Sequence, residues 1–253
     1  LLISALLLVA SGPVLAQTAA GSFLQTSGQV QIQRSGGPTI GAAAGVGVNV
    51  GDKIVTGARS RAVVVLNDQS RLELGTASSV RLDQFTTTGG SVATRVTLLS
   101  GVLRSVVSGA SGNAPSSYQV CTPNAIAAPR SSKFDTAYTE NVIRPGYQGC
   151  DRYTDISVYE GTVNLAATTT PGASQDVGEG YEATIPCDKP PTSPGPLAMT
   201  GAVSLDSANA GGGGARFAGG MPVSSGVVPP ASLDATTAAP PPASPPITAV
   251  QGR

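Results

Sequence analysis

From Gln29 to about Ile185 apolar and polar residues alternate with period two, the pattern of strands that bury one face. Val30 and Ile32 alternate with Gln29, Gln31 and Gln33, Leu72 and Leu74 with Arg71 and Glu73, and Val80 and Leu82 with Arg81 and Asp83. Each set predicts a short strand. Ala62 to Leu66 is an unbroken apolar run and predicts a strand buried on both faces; Asn67-Asp68 then turns the chain into Arg71–Leu74 as a hairpin. Further strands are expected at Val96–Leu99, Val102–Val107, Tyr118–Thr122, Phe134–Tyr138, Ile156–Tyr159, Val163–Leu165 and Tyr181–Ile185. No helical period is evident beyond the first sixteen residues.

Gly followed one or two residues later by Val recurs at Gly28, Gly101 and Gly161, each time opening a strand-like segment. A Val-Gly-acid step appears at Val50-Gly51-Asp52 and again at Val177-Gly178-Glu179. Both read as a weak internal repeat of tight turns, with Gly in a conformation closed to other residues and the acid bonding local amides. Many short strands at such spacing predict an all-β domain, rolled or sandwiched and mainly antiparallel, over residues 23–187.

The two ends differ from this core. Leu1–Ala16, LLISALLLVASGPVLA, is too short an apolar run to cross a bilayer and closes on a small-residue cleavage pattern before Gln17. It reads as a signal peptide, which places the chain in the periplasm, the cell envelope or the medium, with no membrane span after cleavage. Residues 188–253 hold 12 of the 20 Pro and the run Gly211 to Gly214, so they are expected to form a disordered tail, a spacer or docking strip.

Composition narrows the chemistry. Charged residues are 12% of the chain and Lys+Arg balance Asp+Glu 15 to 15, so no net field favours nucleic acid as a partner. There is no His. A Ser-His-Asp triad, a Cys-His pair and most zinc or iron sites are thereby excluded, and no cofactor, metal site or catalytic residue is expected. Asp52 and Glu179 could meet as a carboxylate pair, but a Gly-acid step more simply builds a turn.

Three Cys in an exported chain suggest one disulfide and one spare thiol. Cys150 precedes one strand and Cys187 ends a later antiparallel one, so Cys150–Cys187 is the expected bond; Cys121–Cys150 would close a shorter loop and stays open as the alternative. Two groups of residues are candidates for ligand binding. Arg59, Arg61 and Arg71 fall on or beside one hairpin and could form a cationic patch for a carboxylate or sugar acid, or simply a solvated strand edge. Tyr147 and Tyr153 lie in the loop from Arg144 to Asp155, where aromatic tips could read a ligand or merely cover the edge of the core.

One resemblance joins these features. Gly51-Asp52-Lys53-Ile54-Val55-Thr56-Gly57, then Ser60-Arg61-Ala62, then Asp68-Gln69-Ser70 resembles the FecR domain family pattern of GD-x-I-x-TG, SRA and a D-G-S turn. Thr122-Pro123-Asn124-Ala125 to Arg130 and Phe134 is similar to its TP-x-A … RGT-x-F step, and Val158 to Val163 to its V-x-EG-x-V strand pair. Gln69 stands for the turn Gly, Pro129 for an apolar strand residue, and Ser131-Ser132 for Gly-Thr. The best-known members imply a periplasmic sensor joined through a membrane helix to a cytoplasmic segment that controls a sigma factor. With its leader, this chain is expected to match the exported half without the cytoplasmic anti-sigma segment. That implies a non-catalytic module binding an envelope protein, small ligand or glycan in sensing and regulation; the alternative is a structural or glycan-associated envelope component with a Pro-rich spacer.

Overall fold

The computed structural model describes residues 19–107, 117–197 and Leu205. The expected leader lies outside the described residues, as does the tail apart from residues 188–197 and Leu205. Among the described residues fifteen strands join in one sheet, and every neighbouring pair is antiparallel except one.

The pairings divide this sheet into two halves. One half follows the spatial order β3 (Thr39–Gly41), β2 (Val30–Gln33), β5 (Lys53–Thr56), β8 (Ser79–Thr88) and the first part of β9 (Ser91–Val106). It continues through β10 (Ser117–Cys121), parallel to β9, into the first part of β11 (Ala125–Glu140), the second part of β12 (Arg152–Ala167) and β13 (Ser174–Gly178). The other half runs β4 (Gly47–Val48), β1 (Gly21–Ser27), β6 (Arg61–Leu66), β7 (Arg71–Leu74) and the second part of β9. Beyond them lie the second part of β11, the first part of β12, β14 (Tyr181–Pro186) and β15 (Gly195–Pro196). Long strands β9, β11 and β12 belong to both halves, so the sheet is creased and folded on itself.

Three repeated corners form the crease. Gly28, Gly101 and Gly161 hold φ of 73°, 86° and 79°, a region open to Gly at little cost. Each faces a serine on a neighbouring segment: Ser60, Ser78 and Ser132. The amide after each glycine donates to that serine's Oγ, from Gln29 at 2.9 Å, Val102 at 2.9 Å and Thr162 at 3.1 Å. Every serine hydroxyl donates in turn to the carbonyl two residues before it, on Ala58, Thr76 and Arg130. The residue just before each serine, Arg59, Ala77 or Ser131, also takes positive φ. Left-handed residues on both sides let the chain bend while the buried amide keeps a partner.

This geometry corrects the reading of the glycines as turns. Gly101 and Gly161 lie within β9 and β12, so Val96–Leu99 joins Val102–Val107, and Ile156–Tyr159 joins Val163–Leu165. The ladder continues on both sides of each bend because the serine supplies the bond that the bend takes away. The Val-Gly-acid repeat does not hold in detail. Gly51 has φ 88° and Asp52 is buried, accepting from the Asn49 amide at 2.8 Å and from Arg34, whereas Glu179 is exposed and its left-handed glycine is the following Gly180.

Apolar side chains of both halves merge in one core. Ile32, Ile54, Leu82, Leu98 and Leu165 come from the first half, and Phe23, Leu66, Leu72, Phe134 and Ile156 from the second. Fully burying side chains of this size contributes about 1.5–3 kcal/mol each before entropy is counted. The hairpin of β6 and β7 forms at Asn67–Ser70, with Asp68 accepting from the Ser70 amide at 3.0 Å. Burial within β6 is one-sided: Ala62, Val64 and Leu66 are buried, Val63 and Val65 only half-buried. An all-apolar run marked a strand whose second face is covered in part.

Candidate functional site

The three candidate arginines do not converge on one patch. Arg59, Arg61 and Arg71 are all exposed. Hairpin register pairs Val63 with Glu73 and Val65 with Arg71, so Arg61 and Arg71 lie at opposite ends of the two strands, about 13 Å apart at the usual rise per residue. Glu73 stands between them and forms a loose pair with Arg71 at 3.7 Å. Arg59 serves the backbone, its left-handed amide donating to Thr76 Oγ1 at 2.7 Å. Arg61 borders a cleft of about 150 Å³ lined by Gln25, Ser27, Val63, Glu73 and Leu205 among others.

The loop from Arg144 to Asp155 is built as a brace. Tyr153 is fully buried, so it does not present a tip to a ligand; its hydroxyl donates to the Cys150 carbonyl at 2.6 Å and accepts from the Arg144 amide. The Arg144 guanidinium covers the Tyr153 ring, 4.1 Å from its centroid, and donates two parallel bonds of 2.8 and 2.7 Å to Asp155. Asp155 also accepts from Thr184 Oγ1 at 2.7 Å. Tyr147 is half-buried and meets Tyr153 edge-on at 5.6 Å. Burial pushes the Tyr147 hydroxyl pKa up, with the Asp155 charge adding to it and Arg144 opposing. Beneath this loop a disulfide joins Cys150 to Cys187, with Cα atoms 5.7 Å apart, and Cys121 is a free thiol.

A second constellation, absent from the sequence reading, lies on the outer face of the second half. Register aligns Val63, Glu73, Arg104, Asp135, Ser157 and Glu182 in one row across six strands. Asp135 is fully buried in that row. It accepts from Arg104 Nε at 2.7 Å and Nη2 at 3.0 Å, from the Tyr159 hydroxyl at 3.0 Å and from the Leu205 amide at 2.6 Å. Burial pushes the Asp135 carboxyl above the ordinary carboxylate value, with the Arg104, Leu205 and Tyr159 donors pulling against it. Arg104 lies 4.8 Å from the Tyr159 ring centroid. Polar Arg104 and Asp135 occupy the outward register of two predicted strands, which was the available signal; that an ion pair would lie buried on an outward face was not visible in one strand at a time.

Each of these arrangements spends its charge internally. Asp52, Asp135 and Asp155 each answer an arginine, so the chemistry they offer is fixation of loops and strands rather than proton transfer. Around the cleft Arg61, Gln25 and Ser27 are exposed and Glu73 is half-buried.

Of the comparisons with known proteins, the family model agrees with the sequence resemblance. No curated protein matches the chain. Two crystal structures of a protein assigned as an anti-sigma factor from Parabacteroides distasonis ATCC 8503, at 1.65 and 2.50 Å resolution, are similar at 15% identity and a TM-score of 0.42. The similarity covers 57% of this chain and 59% of that one, so the chain spans about three fifths of that protein's length. Residues 52–164 match the family model described as FecR protein, and over that stretch the chain carries a FecR-like domain.

Proposed function

We propose that this chain is an exported, non-catalytic FecR-domain module that binds an envelope protein or small ligand in sensing and regulation. The observation that carries the reading is the FecR match over residues 52–164. The internal pairing of the buried carboxylates supports a scaffold rather than an acid–base centre. A creased sheet with a braced loop and a disulfide is a rigid platform, and rigid platforms lower the ordering cost of binding. The cleft beside Arg61 is the contact point on this platform, with Arg61 suited to a carboxylate group.

Affinity capture with the full chain from envelope extracts tests the reading. Saturable recovery of one protein or ligand, weakened by Arg61→Ala, is expected. Recovery of nothing beyond that of a control with a scrambled surface would overturn it, and selective retention on peptidoglycan or glycan would favour a structural envelope component. Export is tested separately by fractionation, where the chain should appear shortened at its N-terminus and outside the cytoplasm.

A further inference from the structure

We propose that the outer face of β7, β9 and β11 carries a leucine-docking socket, and that the chain's own Leu205 fills it. Leu205 lies beyond the last described strand, in a region whose composition offers few large apolar side chains, yet it is only 6% exposed. It forms a small apolar cluster with Val102 and Ala137, separate from the main core. Val102 and Ala137 are register partners on the outward face, two residues along the strands from the Arg104–Asp135 pair.

Three features fit the socket to a leucine side chain together with its own backbone amide. Its floor is made of small residues. Gly75 leaves open the space the side chain needs: a Cβ there would stand 2.9 Å from Leu205 Cδ1, and Gly75 carries no left-handed constraint of its own. Its wall offers an acceptor, since Asp135 Oδ2 takes the Leu205 amide at 2.6 Å, anchoring main chain and side chain of one residue together. Asp135 is oriented for this by Arg104 and Tyr159, so the acceptor is fixed before the segment arrives. An apolar anchor in a pocket beside a main-chain hydrogen bond is the usual economy of peptide recognition.

Docking has a consequence for the neighbouring cleft. Leu205 also lines the recess beside Arg61 and Glu73, so the shape of that recess depends on whether the socket is filled. This inference rests on the Leu205 contacts and holds whether or not the module binds an envelope ligand.

The test uses the full chain. In the wild-type chain the Leu205 amide should exchange with deuterium at least tenfold slower than its intrinsic rate, and exchange at the intrinsic rate would overturn the proposal. A labelled synthetic peptide of residues 200–210 should bind Leu205→Asp and Leu205→Ala chains saturably, and bind the wild type at least tenfold more weakly because its socket is filled. A peptide carrying Leu205→Asp should bind none of them. Absence of saturable binding to both variants, or binding indifferent to the leucine in the peptide, would also overturn it. Peptide binding to Leu205→Ala should be lost when Gly75→Val is added, since that side chain fills the floor of the socket.

Discussion

Gly101 and Ser78 are so close across the crease that a Cβ on Gly101 would stand 2.3 Å from the Ser78 Oγ and 2.6 Å from its Cα. The serine can meet the Val102 amide only because the glycine has no side chain. Gly101→Ala therefore meets two costs, a left-handed conformation of about 1–2 kcal/mol and overpacking of about 1–3 kcal/mol. Gly172 has a similar φ of 81° but open space around it. Urea unfolding should show a loss of roughly 2–5 kcal/mol for Gly101→Ala and no more than about 1–2 kcal/mol for Gly172→Ala. Equal losses would mean that the close approach carries no energy.

The same geometry gives two substitutions that should stabilise. Gln69 in the β6–β7 turn and Ser131 before the third corner hold φ of 69° and 47°, although neither is glycine. Relief of left-handed strain exceeds the extra chain entropy that glycine brings to the unfolded state, leaving a net gain of about 0.5–1 kcal/mol at each position. Denaturation midpoints of Gln69→Gly and Ser131→Gly should both rise with unchanged slope. A fall in either would show that the native side chain supplies a contact worth more than the strain.

These two positions also show what the sequence made legible. The FecR pattern carries glycine at the places of Gln69 and Ser131, and the backbone there keeps the glycine conformation after the residue has changed. Alternation likewise located the strands, because period two records which side chains point inward and that survives any rearrangement of neighbours. Continuity did not survive the same reading. Gly161 looks like a turn from its own neighbours, and only Ser132, 29 positions earlier, shows it to be a bend within β12. Tyr153 illustrates the same limit at the candidate site, since its loop position left open an exposed tip or a cover for the core edge, and Arg144 and the Cys150 carbonyl hold it inside. Pairings distant in sequence decide both cases, and period and composition carry no record of them.

Breaking the brace should be costly. Arg144 and Asp155 are buried and doubly hydrogen-bonded, and removing one partner leaves the other charge without its counterion in a low-dielectric setting. Asp155→Asn or Arg144→Gln should lose about 3–5 kcal/mol by urea unfolding. Arg71→Gln, which breaks an exposed pair at 3.7 Å, should change stability by less than about 1 kcal/mol. If the buried and exposed substitutions proved alike, the loop would be held by the disulfide and ring stacking rather than by charge.

The three cysteines should separate by chemistry and pH. Cys150 and Cys187 are bonded across 37 positions, a closure worth about 3–4 kcal/mol in the chain-entropy model, so reduction should lower the unfolding midpoint accordingly. Cys121 is half-buried, and burial pushes its thiol pKa up, with nearby Asp83 adding to the shift and Arg95 opposing it. A raised pKa leaves less thiolate at a given pH than a free cysteine has, and the thiolate is the species that reacts. Without reductant, alkylation at pH 8 should label Cys121 alone and more slowly than a small free thiol. Its rate should keep climbing beyond pH 9, where the free thiol levels off. Labelling of Cys150 or Cys187 under those conditions would contradict the bond, and a rate at pH 8 matching the free thiol would contradict the burial effect on Cys121.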